Sequence, residues 1–418
     1  MKTDINGSVE YDLIVIGGGA SGMMAAGTAS TNGKRVLILE KNDELGKKLK
    51  ITGGGRCNIT NATFDSREFL SKFGKAEKFL HSPFSQFDVQ STFDFFESRK
   101  LPLVTEAMNR VFPESQRAID VFNVMYDYID NKNVTVIKNN PVLKINKSGN
   151  KITSVKTERG TYTAHNYIIA TGGASHPETG STGDGFKWLG DIGHTANKPA
   201  PNIVPLRIAD KWVKNLAGTS IDSVKITFYV DSKKSFSETG KLLFTHFGIS
   251  GPMILNLAHK VADLLHEGSV TATIDCYPNL DLGTVENNIL QVFDQNKNKS
   301  FKNIAKEIAP LGLADTIIDF QIIPDPREKV HSVSKENRKK LSQLLKSMPM
   351  TIQDLMGLDR AVVSDGGVPL TEVDTKTMKS KLFDNLYFTG DILHINRPTG
   401  GYSLQLCWTT GYVAGQLQ

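Results

Sequence analysis

Cysteine is scarce in this chain: three in 418 residues, Cys57, Cys276 and Cys407, far apart and with no C-x-x-C pair. That excludes a disulfide framework, a dithiol redox couple and a cysteine zinc site, and it fits a reducing cytoplasm. No His, Asp or Glu cluster has metal-ligand spacing, so no metal is expected. Long apolar runs are missing too, and the amino end Met1-Lys-Thr-Asp-Ile-Asn6 lacks the charged-then-apolar layout of a signal peptide, so a cytoplasmic protein with no membrane partner is expected. Like-charge runs are absent: Lys+Arg 49 against Asp+Glu 44 give a net +5. The one dense basic stretch, Lys335 to Lys346, reads as a solvated helix face, which argues against a nucleic-acid partner. No internal repeat or low-complexity tract occurs. The length allows two or three domains.

What is present begins at Tyr11-Asp-Leu-Ile-Val-Ile-Gly-Gly-Gly-Ala-Ser-Gly22, an apolar strand run that ends in Gly17-x-Gly19-x-x-Gly22 and passes into a helix-like segment. In such a layout the first glycine allows the tight turn and the second lets the backbone approach a pyrophosphate. The third lets helix and strand pack closely, and Ala20 and Ser21 at the helix amino end offer unpaired N–H groups. A second apolar run, Val36-Leu-Ile-Leu39, ends in Glu40 at roughly the 20-residue spacing at which a carboxylate accepts the ribose hydroxyls. A 2′-phosphate would be repelled there, so the dinucleotide expected is FAD or NAD, not NADP.

Two later segments repeat the strand-then-turn pattern, Tyr167-Ile-Ile-Ala-Thr-Gly-Gly173 and Leu386-Tyr-Phe-Thr-Gly-Asp391. A glycine turn at a strand's carboxyl edge admits a cofactor, and an acid there gives an alcohol a charge-assisted acceptor. Because these motifs lie at both ends of the chain, the middle reads as an insertion. Both later segments resemble signatures of flavoproteins, and the fold class this resemblance implies is α/β: a two-dinucleotide-binding-type FAD domain with a Rossmann-like sheet (1–195 and 352–418), interrupted by a β-rich substrate domain (196–283 and 322–351) and a helical subdomain (284–321). Ser223 to Val230, Lys241 to Thr245 and Ser269 to Asp275 carry strand signals, and apolar spacing turns helical from Thr284 to Met348. No second Gly-x-Gly-x-x-Gly follows a strand in the insertion, so no separate nicotinamide domain is visible.

After Glu40, Lys41 to Asn58 contains the triple glycine Gly53 to Gly55, costly in backbone entropy unless the chain must approach something closely. Lys47 or Lys48 reads as a point charge for a diphosphate and Arg56 as a rigid fork for an oxygen or carboxylate, while Cys57 reads as a packed thiol. His246, between glycine turns in Thr-His-Phe-Gly, is the candidate for exchanging protons with a substrate. His176 and His394 read as ordinary loop histidines. Ser250 in Gly-Ile-Ser-Gly lacks the second spacer of a nucleophile elbow, so a hydrolase is rejected.

Five blocks together resemble a known family: Gly46-Lys-Lys-Leu-Lys-Ile-Thr-Gly-Gly-Gly-Arg-Cys-Asn-Ile-Thr-Asn61, Arg110-Val-Phe-Pro113, Ala170 to Gly185, Leu243 to Pro252, and Gly366 to Ser380 with the closing Thr399-Gly-Gly-Tyr-Ser403. From Tyr11 to Gly415 the chain is similar to the bacterial BaiN-like flavoproteins, usually described as NAD(P)/FAD-dependent oxidoreductases, a group that includes aminoacetone oxidase. The resemblance implies an FAD site made of Gly17, Gly19, Ala20, Ser21, Gly22, Glu40, Lys41, Lys48, Gly55, Arg56, Cys57, Asn58, Thr171, Gly172, Gly390, Asp391, Gly401, Tyr402 and Ser403. Val142, after Asn139-Asn-Pro141, falls where such folds pass a backbone edge beside the adenine. The chain departs from the family at Gly390-Asp-Ile-Leu-His394, the loop Ile395 to Pro398, and Ser403 in place of Asn, which changes the donors near the flavin.

The activity expected is hydride transfer between a small organic substrate and flavin N5, with dioxygen or NAD(P)H as redox partner. The resemblance favours an oxidase of a small amine such as aminoacetone. The alternatives are an NAD(P)H-fed reductase of an enone-like substrate, an RNA-associated flavoprotein, and a redox sensor acting through Cys57. Glu40→Ala should weaken FAD retention by about 1.5 to 3 kcal/mol, the worth of hydrogen bonds to a charged group. The flavin-to-protein absorbance ratio of the purified variant measures it, and full occupancy would refute the placement of Glu40.

Overall fold

The structure, a computed structural model, describes residues 11–310 and 312–417. The amino-terminal stretch read above for a leader lies outside the described residues. The chain divides into two units, Met1–Asn202 with Ala361–Gln418, and Ile203–Arg360.

The first unit is built on a five-stranded parallel sheet. Strand β1 (Tyr11–Ile16) lies at its centre, β2 (Val36–Leu39) and Val134–Ile137 follow on one side, and Ala164–Ile169 and Leu386–Phe388 on the other. β1 and β2 are apolar without alternation because both faces are covered, as parallel sheets require. Leu37 and Ile38 are fully buried, each worth roughly 1.5–3 kcal/mol against exposure. After β1 the chain winds to one side, and the strand on the other side enters only at Ala164. The sheet therefore changes direction at the carboxyl edge of β1, which is where open α/β sheets bind ligands.

The helix that follows, α1 (Ala20–Thr31), is buried on every side over most of its length. It lies against the carboxyl-terminal helix Tyr402–Gly415. A Cβ on Gly411 would sit 2.6 Å from the Ser21 carbonyl oxygen, and one on Gly415 2.5 Å from that of Ala25. Two glycines one turn apart thus let the helix backbones touch. Two smaller antiparallel sheets and a two-stranded pair complete the unit; in that pair Asn197–Asn202 runs against Val363–Gly367, Asn202 opposite Val363.

The second unit is a closed six-stranded antiparallel barrel in the order Leu206–Ile208, Gly248–Ser250, Lys233–Thr245, Ser220–Val230, Val270–Asp275 and Met348–Leu355. Alternation fills it: Val224, Ile226 and Phe228 point inward from one strand, and Val270, Ala272 and Ile274 from its neighbour. Helix Pro252–Glu267 lays Ile254, Leu257, Val261 and Leu264 on the barrel. The helical stretch, which includes Leu282–Gln295, Phe301–Ile308 and Lys335–Lys346, shares one apolar core with the barrel through Val285, Ile289, Phe293, Ile304 and Leu341.

A polar tie in the first unit carries a pH dependence. The His194 ring is fully buried between Phe383 and Phe388. Its Nδ1 lies 2.6 Å from a Glu372 carboxylate oxygen and its Nε2 2.9 Å from the Ser380 hydroxyl. The three line up as serine, histidine and acid, but Ser380 Oγ already accepts the backbone N–H groups of Leu382 and Phe383, each at 3.0 Å. With its lone pairs occupied it is a structural tie and no nucleophile. Burial pushes the His194 pKa down, against the support of Glu372. The Glu372 carboxyl is also held below its usual value: burial opposes this, but bonds from Thr195 and His194 prevail.

A histidine with a depressed folded pKa takes up its proton more readily when unfolded, so its contribution is complete above the unfolded value near 6.5 and is lost as pH falls below it; Glu372 adds a further loss below about 4.3. Tm is expected to be flat above about pH 7 and to fall from there to pH 5. His194→Gln should lower Tm at pH 7.5 and flatten the slope between pH 7 and 5; an unchanged slope would remove His194 from the account.

Candidate functional site

A cleft in the first unit runs along the carboxyl edge of the parallel sheet and holds about 1230 Å³, its open mouth included. One wall is the turn after β1, and each of its glycines has a separate reason. Gly17 is left-handed at φ 107°, and a Cβ there would lie 2.5 Å from the Ala170 carbonyl oxygen. Gly19 has an ordinary φ of −81°, yet a Cβ would meet nothing within 4 Å: the space over it is open. A Cβ on Gly22 would strike the Gly17 carbonyl oxygen at 2.0 Å, so the third glycine holds helix to turn.

At the end of β2, Glu40 is buried and accepts the Gly18 and Asn42 backbone N–H groups, both at 2.8 Å. Those bonds fix the carboxylate while leaving it further lone pairs. Beside it Asn140, also on the cleft wall, is buried with its side-chain oxygen unpartnered. Lys41 bonds Thr182 at 2.6 Å and Asp184 at 2.9 Å across the cleft, two partners that the sequence reading missed. Lys48 reaches into the cleft and donates to the Ser175 carbonyl at 2.8 Å; burial pulls its pKa down and the charge of Asp391 offsets part of that. At the same end stand Asp391, Ser403 and Cys407, whose thiol burial pushes up.

The cleft therefore brings together Gly17, Gly19, Ala20, Ser21, Glu40, Lys41, Lys48, Val142, Thr171, Gly172, Asp391 and Ser403. Gly22, Gly390, Gly401 and Tyr402 shape the turns and helix ends behind it, Gly390 and Gly401 in left-handed conformation. Gly55, Arg56, Cys57 and Asn58 sit off its walls, although Thr52 just before them lines it. The Arg56 fork is occupied by the protein itself: it pairs with Glu106, bonds Gln116 at 2.6 Å, and lies 4.0 Å from the Phe112 ring centroid. Cys57 is wholly buried and its pKa is driven up by that burial, so its thiol is packed and protonated. Gly53, Gly54 and Gly55 are all left-handed, with open space beyond Gly54 and Gly55.

His246 belongs to the barrel unit. It is exposed on the turn between Lys233–Thr245 and Gly248–Ser250, edge-on to Phe247 at 4.8 Å. His176 pairs with Glu178 at 2.8 Å, and His394 is exposed. Among the described residues no group of His, Cys, Asp or Glu could hold a metal ion, and no helix is long and apolar enough to cross a membrane.

The sequence matches the family described as HI0933-like protein Rossmann domain over residues 11–417. The chain belongs to that family. Like other HI0933-like proteins it is an FAD-dependent oxidoreductase, and the open space over Gly19, the anchored Glu40 carboxylate and the unpartnered Asn140 oxygen fit an adenine dinucleotide. It is 30% identical over 410 residues, 96% of this chain and 97% of the relative, to the 3-dehydro-bile acid delta(4,6)-reductase of Clostridium scindens. It is 27% identical over 409 residues, 97% of each chain, to the ribosomal RNA dihydrouridine synthase of Escherichia coli. Among solved structures, the 3-ketosteroid delta1-dehydrogenase of Sterolibacterium denitrificans shares the fold with TM-score 0.51 at 14% identity, over 98% of this chain and 99% of that one.

Gly19→Val should keep the apoprotein's Tm, since its side chain enters open space, while flavin occupancy drops at least tenfold. Gly22→Ala forces a backbone contact apart and should cost about 1–3 kcal/mol of stability. Thermal melts with flavin absorbance check both; a Gly19→Val protein that purifies fully yellow would show that the diphosphate does not pass over this turn.

Proposed function

We propose that this HI0933-like protein reduces a carbon–carbon double bond conjugated to a carbonyl in a small molecule, with NAD(P)H as the source of electrons. The observation that carries the reading is the chemistry shared by the names of the two relatives that match along almost the whole chain. A delta(4,6)-reductase acting on a 3-dehydro bile acid saturates double bonds conjugated to a ketone. A dihydrouridine synthase saturates the uracil double bond conjugated to a ring carbonyl. Hydride goes to the β carbon, the electron pair moves toward the carbonyl oxygen, and a proton is returned at the α carbon. Oxidation of a small amine such as aminoacetone is the second reading, resting on the family resemblance alone.

FAD, when bound, supplies the hydride at N5. Within this reading the turn from Gly17 to Gly22 and the amino end of α1 hold the diphosphate through backbone N–H groups, and Glu40 takes the adenosine ribose. Asp391 accepts a ribityl hydroxyl, and Lys48 brings a positive charge to the same end of the cleft. His246, exposed on its turn, is proposed as a proton carrier from its residue type and its glycine-flanked turn alone.

A small molecule is preferred to RNA because the basic helix Lys335–Lys346 is short and part of its charge is used within the protein, although Lys335, Lys339 and Lys340 are exposed. Lys346 is partnered by Asp275 at 2.6 Å and Lys340 by Glu336 at 2.7 Å, while Arg338 donates to the Val333 carbonyl at 2.7 Å.

The deciding experiment reduces the flavin anaerobically with NADH or NADPH, then adds a 4-en-3-one steroid, a uridine-rich RNA fragment, or air. Reoxidation by the enone with slow reoxidation by air is expected. Reoxidation by the RNA alone would move the substrate to nucleic acid, and rapid air oxidation with peroxide release and aminoacetone-driven reduction would make the enzyme an oxidase.

A further inference from the structure

The loop Ile395 to Pro398 contains a buried cation. The Arg397 side chain is 1% exposed and that of Asp391 13%. One guanidinium nitrogen pairs with Asp391 Oδ1, another donates to the Ile395 carbonyl, and Nε donates to Ser403 Oγ at 3.2 Å. Burying a guanidinium carries a large desolvation penalty, offset here by three hydrogen-bonded partners. Two of its three partners, Asp391 and Ser403, line the cleft, while Arg397 stands behind them.

The fork leaves both partners in defined states. Asp391 is bonded through one oxygen, so Oδ2 remains as an acceptor. Ser403 gives a lone pair to Arg397 and donates its own proton to no protein group among the described residues. Charge adds to this. Lys48 lies on the same part of the cleft wall, so two cations face the single carboxylate Asp391. Glu178, the other acid in range of Lys48, is exposed and paired with His176 at 2.8 Å. Ser403 also lies in the first turn of the 14-residue helix Tyr402–Gly415, whose amino end is itself positive.

We propose that Arg397 is a positioning residue for the flavin end of the cofactor: it loads the Ser403 hydroxyl as a donor, holds Asp391 with one oxygen open, and tips the local charge positive, so that reduced, anionic flavin is bound more tightly than oxidised flavin. The placement of Asp391 at the ribityl chain rests on the reading given under Proposed function; the charge effect does not require it. Arg397, Asp391 and Ser403 then act together as one set.

The test uses the full-length FAD-loaded protein and reads flavin occupancy and midpoint potential, neither of which needs a substrate. Arg397→Gln should reduce the preference for reduced over oxidised FAD at least tenfold, a fall of about 30 mV for a two-electron couple. Arg397→Lys, which keeps the charge, should recover most of that. Asp391→Asn should lower occupancy and leave the midpoint equal to or above the native value. If Asp391→Asn keeps full occupancy while Arg397→Gln still lowers the midpoint, the ribityl reading fails and the role of Arg397 stands. A midpoint for Arg397→Gln within twofold in this preference overturns the proposal. Should that variant not fold, the wild-type protein decides: its reduced flavin must show the anionic spectrum from pH 6 to 9, and a neutral spectrum at pH 6 to 7 overturns the proposal.

Discussion

The structure of the first unit depends on one contact between backbones, the helix start at Gly22 resting on the carbonyl of Gly17 with no room for a single carbon between them. Everything around the cleft is referenced to that contact. It fixes the angle at which α1 leaves the sheet and so aims the helix amino end along the cleft. The same helix is gripped from behind by Gly411 and Gly415, again without side chains between the backbones. Small residues on both sides of α1 make the cofactor seat stiff, because close-packed backbones have few ways to yield.

Charges of both signs line the cleft. The buried acid Glu40 stands near Lys41, which pairs with Asp184, and Lys48 stands with Asp391 and Ser403, behind which Arg397 is buried. The protein's part in the chemistry is this fixed arrangement of donors, acceptors and charge around a cofactor that carries the reaction.

The sequence was informative wherever function is local. Gly17 and Glu40 follow directly on strands, Thr171 and Asp391 come two and three residues after one, and Gly19 and Gly22 lie at the start of the helix after the first, so an apolar run followed by a turn residue gives their position. It was silent where partners are distant. The Arg56 fork reads as available to a cofactor, and only the fold brings Glu106 and Gln116 to it. Lys346 reads as part of a basic patch until Asp275 is folded against it. The strand from Ser220 to Val230 is legible by alternation, but barrel closure is not, because it requires Leu206–Ile208 to pair with Met348–Leu355 across most of the second unit. Arg397 was passed over as loop, since nothing in four residues shows that a charge will be buried.

The two-stranded pair at the edge of the first unit has a consequence for how such proteins diversify. Asn202 and Val363 face each other across that pair, at the spacing of roughly 5 Å that separates antiparallel neighbours. Chain leaves and returns through one narrow gate whose backbone bonds are already satisfied within the flavin unit. Any folded segment whose ends lie a strand-width apart can be spliced there without disturbing the sheet, the glycine turn or the helices. The two parts thus differ in kind: the flavin unit is held by contacts that admit no extra atom, while residues 203–360 form a core of their own.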